Sequence, residues 1–132
     1  QGKVLAVDIQ PEMLAAINEK KEEMGIDNIE LIKGTEKSVN LPSNTVDKVL
    51  MVDVYHEFSF PIEMIASIKK SLKPKGKIYL IEYRSEDDSV PIKRLHKMSE
   101  KQAVKEFKAA GFILKKNIDN LPWQHCMVFI RQ

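Results

Sequence analysis

Short, largely apolar runs that end on polar residues limit most strongly how this chain can fold. Val4 to Val7 stops at Asp8, and Ile29 to Ile32 stops at Lys33-Gly34-Thr35. Val46 to Val52 stops at Asp53, and Lys77 to Tyr83 stops at Arg84. Runs of this kind suit parallel strands covered on both faces. The segments between them have helical signals. Pro11 fits a first helical turn, where its missing N–H costs nothing. Met13, Leu14, Ile17 and Met24 then recur at helical spacing, and Gly25 is a natural stop. Pro61 opens a second helix with Met64, Ile65, Ile68 and Leu72 as its apolar stripe. Leu41-Pro42-Ser43-Asn44 and Lys73-Pro74-Lys75-Gly76 carry turn chemistry. Residues 84–98 are polar and read as irregular. Ser99 and Gln102 have capping-box spacing before a third helix, which Gly111 ends. Phe112 to Ile118 and Cys126 to Arg131, separated by Asp119, Asn120 and Pro122, read as an antiparallel hairpin. The order is that of a layered α/β fold, mostly parallel, with a closing hairpin.

The totals narrow the function. A chain of 132 residues is read as one domain, 1–132. Lys and Arg number 21 and Asp and Glu 19, for a net charge of +2. That balance argues against a nucleic-acid binder, which concentrates basic charge on one face. A single cysteine, Cys126, excludes an internal disulfide framework and a CxxC metal pair, so a cytoplasmic setting is expected. Cys126 itself reads as a small buried hydrophobe and Trp123 as a packing residue. No apolar run nears the roughly 18 residues of a membrane span, and no signal peptide is visible. Gln1 followed at once by a strand reads as a cut end.

In an open parallel sheet, ligands bind beyond the carboxyl ends of the strands. Four strand tips here carry polar groups: Asp8 and Ile9; Gly34, Thr35 and Glu36; Asp53, Tyr55, His56 and Glu57; and Glu82, Tyr83 and Arg84. Asp8 offers two acceptor oxygens, enough for a ribose diol, or it is a turn-forming residue before a helix. Gly34 lets either a ligand ring or a neighbouring backbone approach closely. An unperturbed imidazole has its pKa near neutrality, so His56 can act as a general base, or it only walls its loop. Asp53, His56 and Glu57 share one short loop and have no distant partner in sight, so no metal site is expected. His96 and His125 stand outside any motif.

The ordered series KVLAVDIQPEML, IELIKGTEKSVNLPSNTVDKVLMVDVYHEF and LKPKGKIYLIEYR resembles the class I S-adenosylmethionine-dependent methyltransferases. EFKAAGF and the following hairpin resemble that family's ending. The resemblance implies a three-layer Rossmann-like sheet with S-adenosylmethionine as cofactor. It implies that Asp8 holds the cofactor ribose and that Ile9 packs on adenine. Gly34, Thr35 and Glu36 would lie on the adenine side, where an aspartate is common at the Thr35 position. Val52 and Asp53 would lie beside the methionine moiety, with Tyr55 and His56 facing the acceptor.

The family also has a central first strand and a glycine-rich loop ahead of the segment that begins here. Their absence implies a fragment that binds the cofactor weakly and is itself inactive. It further implies that the strands at Val4 and Val46 close on each other or that two chains associate through exposed sheet edges. The expected function is methyl transfer to a small-molecule acceptor, with no membrane or nucleic-acid partner. The alternatives are a dinucleotide-dependent oxidoreductase, which also places an acid after its second strand, and a non-catalytic self-associating module.

Overall fold

Pro11 and Gly25 bracket the first helix as the sequence predicts. In the computed structural model, which describes residues 2–132, α1 runs Pro11–Met24 with Pro11 in its first turn. Gly25 caps it in the left-handed region at φ 62°, its N–H bonding back to Glu22 O. The strand before it, β1 (Val4–Asp8), pairs in parallel with β2 (Ile29–Lys33). These two strands form a small sheet of their own.

A larger sheet has the order β3-β4-β7-β6. β3 (Val46–Val52) and β4 (Leu72–Arg84) run parallel, joined through α2 (Pro61–Ser71). The predicted hairpin is present: β6 (Phe112–Asn117) and β7 (Gln124–Arg131) are antiparallel, and β7 also pairs antiparallel with β4. Ahead of the hairpin, α3 (Glu100–Ala109) starts as expected, the Ser99 hydroxyl accepting from the Gln102 amide at 3.1 Å. The Gln102 side chain bonds onward to Glu106.

The core lies on one face of the larger sheet. Met64, Ile65 and Ile68 of α2 and Ala103 and Phe107 of α3 bury against Met51, Ile78, Leu80, Met127 and Phe129. Phe107 and Phe129 stack with ring centroids 4.3 Å apart. An inner face built from alternate strand residues is what the period of two dictates.

Several expectations change. The turn at Lys73-Pro74-Lys75-Gly76 lies inside β4: the partner of Val46 is Leu72 while that of Lys48 is Lys77, so the four residues bulge out of the ladder. Gly76 is buried there, and a Cβ on it would collide with the Leu72 side chain. The segment 84–98 is irregular except for a short 3-10 turn at Arg94–His96 and a two-residue strand, β5 (Lys97–Met98), beside β4. Met13 and Met24 are exposed, because α1 covers only two narrow strands. Trp123 is also exposed, while Cys126 is buried and free.

β1 and β3 do not close on each other. Among the described residues, β1 pairs only with β2, and the outer neighbour of β3 is open. These edges are accessible, with Val4, Leu50 and Val52 about half exposed or more. The small sheet is instead tied to α2. Ser67 Oγ accepts from the Val39 amide at 3.0 Å, and Lys37 Nζ sits 4.3 Å from the Phe60 ring centroid. Phe60 caps α2 just beyond β3, so the loop after β2 and the tip of β3 share one rim. No helix among the described residues is long and apolar enough to cross a membrane.

Candidate functional site

At the tip of β1, Asp8 is half-buried. Its Oδ1 accepts the Gln10 amide at 2.8 Å, which turns the chain into α1. Ile9 is exposed beside it. The Asp8 carbonyl accepts from the Gly34 amide at 2.9 Å, so the first two strand tips are locked together. Gly34 is buried against its own chain: a Cβ would lie 3.0 Å from Ser38 O and from Val7 Cγ1. The close approach it permits is therefore to backbone and Val7. Thr35 and Glu36 are exposed, with the Thr35 hydroxyl accepting from the Lys37 amide at 3.3 Å.

At the tip of β3, Val52 is exposed and Asp53 takes a positive φ of 50°. A left-handed turn at a non-glycine residue is uncommon and re-aims the side chain. Asp53 Oδ2 accepts from Gln124 Nε2 at 2.8 Å, whereas its buried Oδ1 has no hydrogen-bond partner. Burial pushes the Asp53 carboxyl above the usual aspartate range, against the pull of Gln124 and His56.

The next residues form a 3-10 turn, Tyr55–Glu57, in which two neighbours point different ways. Tyr55 turns into the core, packs on Phe58 and Phe107, and donates its hydroxyl to Glu106 Oε2 at 2.5 Å. Burial, reinforced by Glu106, drives its phenol far above the ordinary value. His56 turns the other way, toward Glu82.

Glu82 is fully buried on the same inward face of β4 as Ile78 and Leu80. Its Oε2 lies 2.6 Å from His56 Nδ1, and its Oε1 accepts the His56 amide at 3.3 Å. Burial raises the Glu82 carboxyl, and the bonds from His56 pull it back. With Nδ1 held, His56 Nε2 faces outward, 3.3 Å from His96 Nδ1 and 3.8 Å from Glu57 Oε1. His56 also lines a cleft of about 400 Å³ with Ser85, Arg94, Lys97, Met98, Ser99 and Gln102. A larger hollow of about 530 Å³ lies at the opposite, amino end of β3 and β4, lined by Asp47 and several lysines, away from the polar tips.

His125, itself buried, belongs to a separate network that reaches the exposed Glu86. Its Nδ1 accepts from Asn117 Nδ2 at 2.9 Å, so Nε2 donates to Glu86 Oε2, also at 2.9 Å. Burial would raise Glu86, but the bonds from His125 and the Glu100 amide outweigh it and hold its carboxyl low. This network pins the 84–98 segment to β7.

The fold sets Asp53, His56 and Glu57 beside Glu82, His96 and Gln124. The signal for Glu82 was present: a lone carboxylate at core parity in KIYLIEY. His96 and Gln124 carried no signal, since only the fold brings them near.

A family model described as a methyltransferase domain matches residues 1–80. The uncharacterized methyltransferase YdaC of Bacillus subtilis (strain 168) is 31% identical over 106 residues, covering 80% of this chain and 56% of the relative. YcgJ of the same organism, also an uncharacterized methyltransferase, is 24% identical over 86 residues, or 65% of this chain and 34% of its own length. The chain therefore spans only part of the length of these relatives. Among solved structures, a SAM-dependent methyltransferase from Aquifex aeolicus superposes with a TM-score of 0.90 at 27% identity, covering 97% of this chain and 68% of that one.

Proposed function

The chain belongs to the methyltransferase-domain family, and on that premise we propose that it serves methyl transfer from S-adenosylmethionine to a small-molecule acceptor. The observation that carries this reading is Asp53 Oδ1. A buried carboxylate oxygen without a partner is costly, and a cationic ligand group relieves it. The ammonium of the cofactor's methionine end is such a group. Asp8 takes the ribose diol and exposed Ile9 packs on adenine. Gly34, Thr35 and Glu36 shape the adenine side, and Val52 borders the methionine end with Asp53. Gly34 acts there by setting the loop path, since its contacts are internal.

When bound, S-adenosylmethionine supplies a methyl group activated by its sulfonium. The work left to the protein is mainly alignment of donor and acceptor. His56 faces the cleft with Nδ1 fixed by Glu82, so its Nε2 is placed to take a proton from an acceptor. Tyr55 has a packing role in this reading. The cleft's volume suits a small molecule, and Arg94 and Lys97 on its wall favour an acceptor with an anionic group.

Calorimetric titration of the purified protein with S-adenosylhomocysteine tests the cofactor assignment. Weak but saturable binding that falls about a further tenfold or more in Asp8→Asn and Asp53→Asn is expected, since each removes a charged hydrogen bond. Binding of NAD in its place, or binding indifferent to both substitutions, overturns it.

The same reading takes the chain as one domain working in the cytoplasm, in keeping with its single free cysteine. The open edges of β1 and β3, with Leu50 and Val52 exposed, favour pairing with a further strand or a second copy. Sedimentation equilibrium distinguishes a monomer from a dimer.

A further inference from the structure

We infer that His56, Glu57 and His96 form a binding site for a divalent transition-metal ion, with zinc the best fit. Sequence order gave no reason to expect it, because the third ligand is 40 positions from the first. The 3-10 turn at Arg94–His96 supplies that ligand.

Three distances support the site. His56 Nε2 and His96 Nδ1 are 3.3 Å apart, and Glu57 Oε1 lies 3.8 Å from the first and 3.9 Å from the second. Two ligands each about 2.05 Å from a tetrahedral ion stand about 3.3 Å apart. The imidazole pair already has that spacing. Glu57 needs only a small side-chain movement, which its exposure permits.

A second, independent feature lies behind the ligands. The fully buried Glu82 holds His56 Nδ1 at 2.6 Å. A carboxylate on the far ring nitrogen fixes the tautomer and directs the lone pair of Nε2 outward. Histidine ligands of metals almost always have such a partner. Two imidazoles and a carboxylate suit zinc and its neighbours in the first transition row better than calcium or magnesium, which take oxygen ligands. Three protein ligands leave a fourth position open to water or to a cleft-bound group, as in zinc sites that exchange ligands. The site stands on its own geometry and does not need the methyl-transfer reading; while an ion is bound His56 Nε2 is a ligand, so its role as a base belongs to the metal-free protein.

Titration of chelator-treated protein with zinc chloride, followed by calorimetry, tests it. One ion per chain is expected, with affinity falling at least about tenfold in His96→Ala and in Glu57→Gln. Both residues are exposed, so circular dichroism of the variants should match the parent. Asp47→Asn, at the far end of the sheet, should bind zinc unchanged. Cobalt(II) should give visible bands of a tetrahedral site, lost in His96→Ala. Absence of saturable zinc binding, or binding that both variants retain, overturns the site.

Discussion

Glu82 grips His56 twice across 26 positions of the chain, through the ring at 2.6 Å and the backbone amide at 3.3 Å. The loop after β3 is thereby fastened to the middle of the larger sheet. A side chain that faces solvent chemistry on one edge is anchored in the core on the other.

Removing that anchor leaves His56 without its buried partner. Glu82→Ala should destabilise the protein by about 2–3 kcal/mol, the cost of losing a hydrogen bond to a buried carboxylate and leaving space behind. Urea unfolding measures it. A loss below about 1 kcal/mol would mean that the pair contributes little to the fold.

Tyr55 lies next to His56 in sequence but faces the opposite way. Tyr55→Phe removes only the hydroxyl bonded to Glu106 and should cost about 1–2 kcal/mol. Binding of S-adenosylhomocysteine should be unchanged at a temperature where the variant is folded. A tenfold loss of binding would return Tyr55 to the site.

Asp53 should link stability to pH. Its folded carboxyl lies above the ordinary value because of burial, so the folded state holds this proton more tightly than the unfolded state does. Its stabilising contribution is therefore full below about pH 4 and declines as pH rises through the folded value. Asp53→Asn should flatten that decline when unfolding free energies are compared between mildly acidic and neutral buffer. The same variant should bind S-adenosylhomocysteine more weakly. A variant with the parent's pH slope would show that Asp53 does not hold its proton as described.

Gly76 sits where the bulge re-enters β4, and any Cβ meets the Leu72 side chain. Gly76→Ala should lower stability by about 1–3 kcal/mol through overpacking. Thermal unfolding of the variant checks it, and an unchanged midpoint would show that Leu72 yields freely.

The strands and helix starts were readable because their signals are local. Pro11, Pro61 and Ser99 each act within one turn, and the apolar runs are contiguous in sequence. The closing hairpin was readable for the same reason. The α1 stripe failed because burial depends on how wide the facing sheet is, which no helical period encodes. The Lys73–Gly76 turn became a bulge because Leu72 is itself paired across to Val46. In the site, Asp8, Asp53 and His56 follow directly from strand ends. His96 and Gln124 reach it from segments 40 and 71 positions away, so only the tertiary fold reveals them. Tyr55 faces the core and not the acceptor side because a three-residue 3-10 turn sends neighbouring side chains to opposite sides, which sequence adjacency to His56 does not reveal.

β7 lies between β4 and β6 although it is made after both. During synthesis, the core-facing residues Met127 and Phe129 reach the open slot only after the other strands have left the ribosome. Until then β4 and β6 cannot share a ladder, and the apolar faces of α2 and α3 rest on Met51, Ile78 and Leu80 without Met127 and Phe129 beside them. The ladder of the larger sheet is therefore continuous only once the strand ending at Arg131 has slotted in between its two partners.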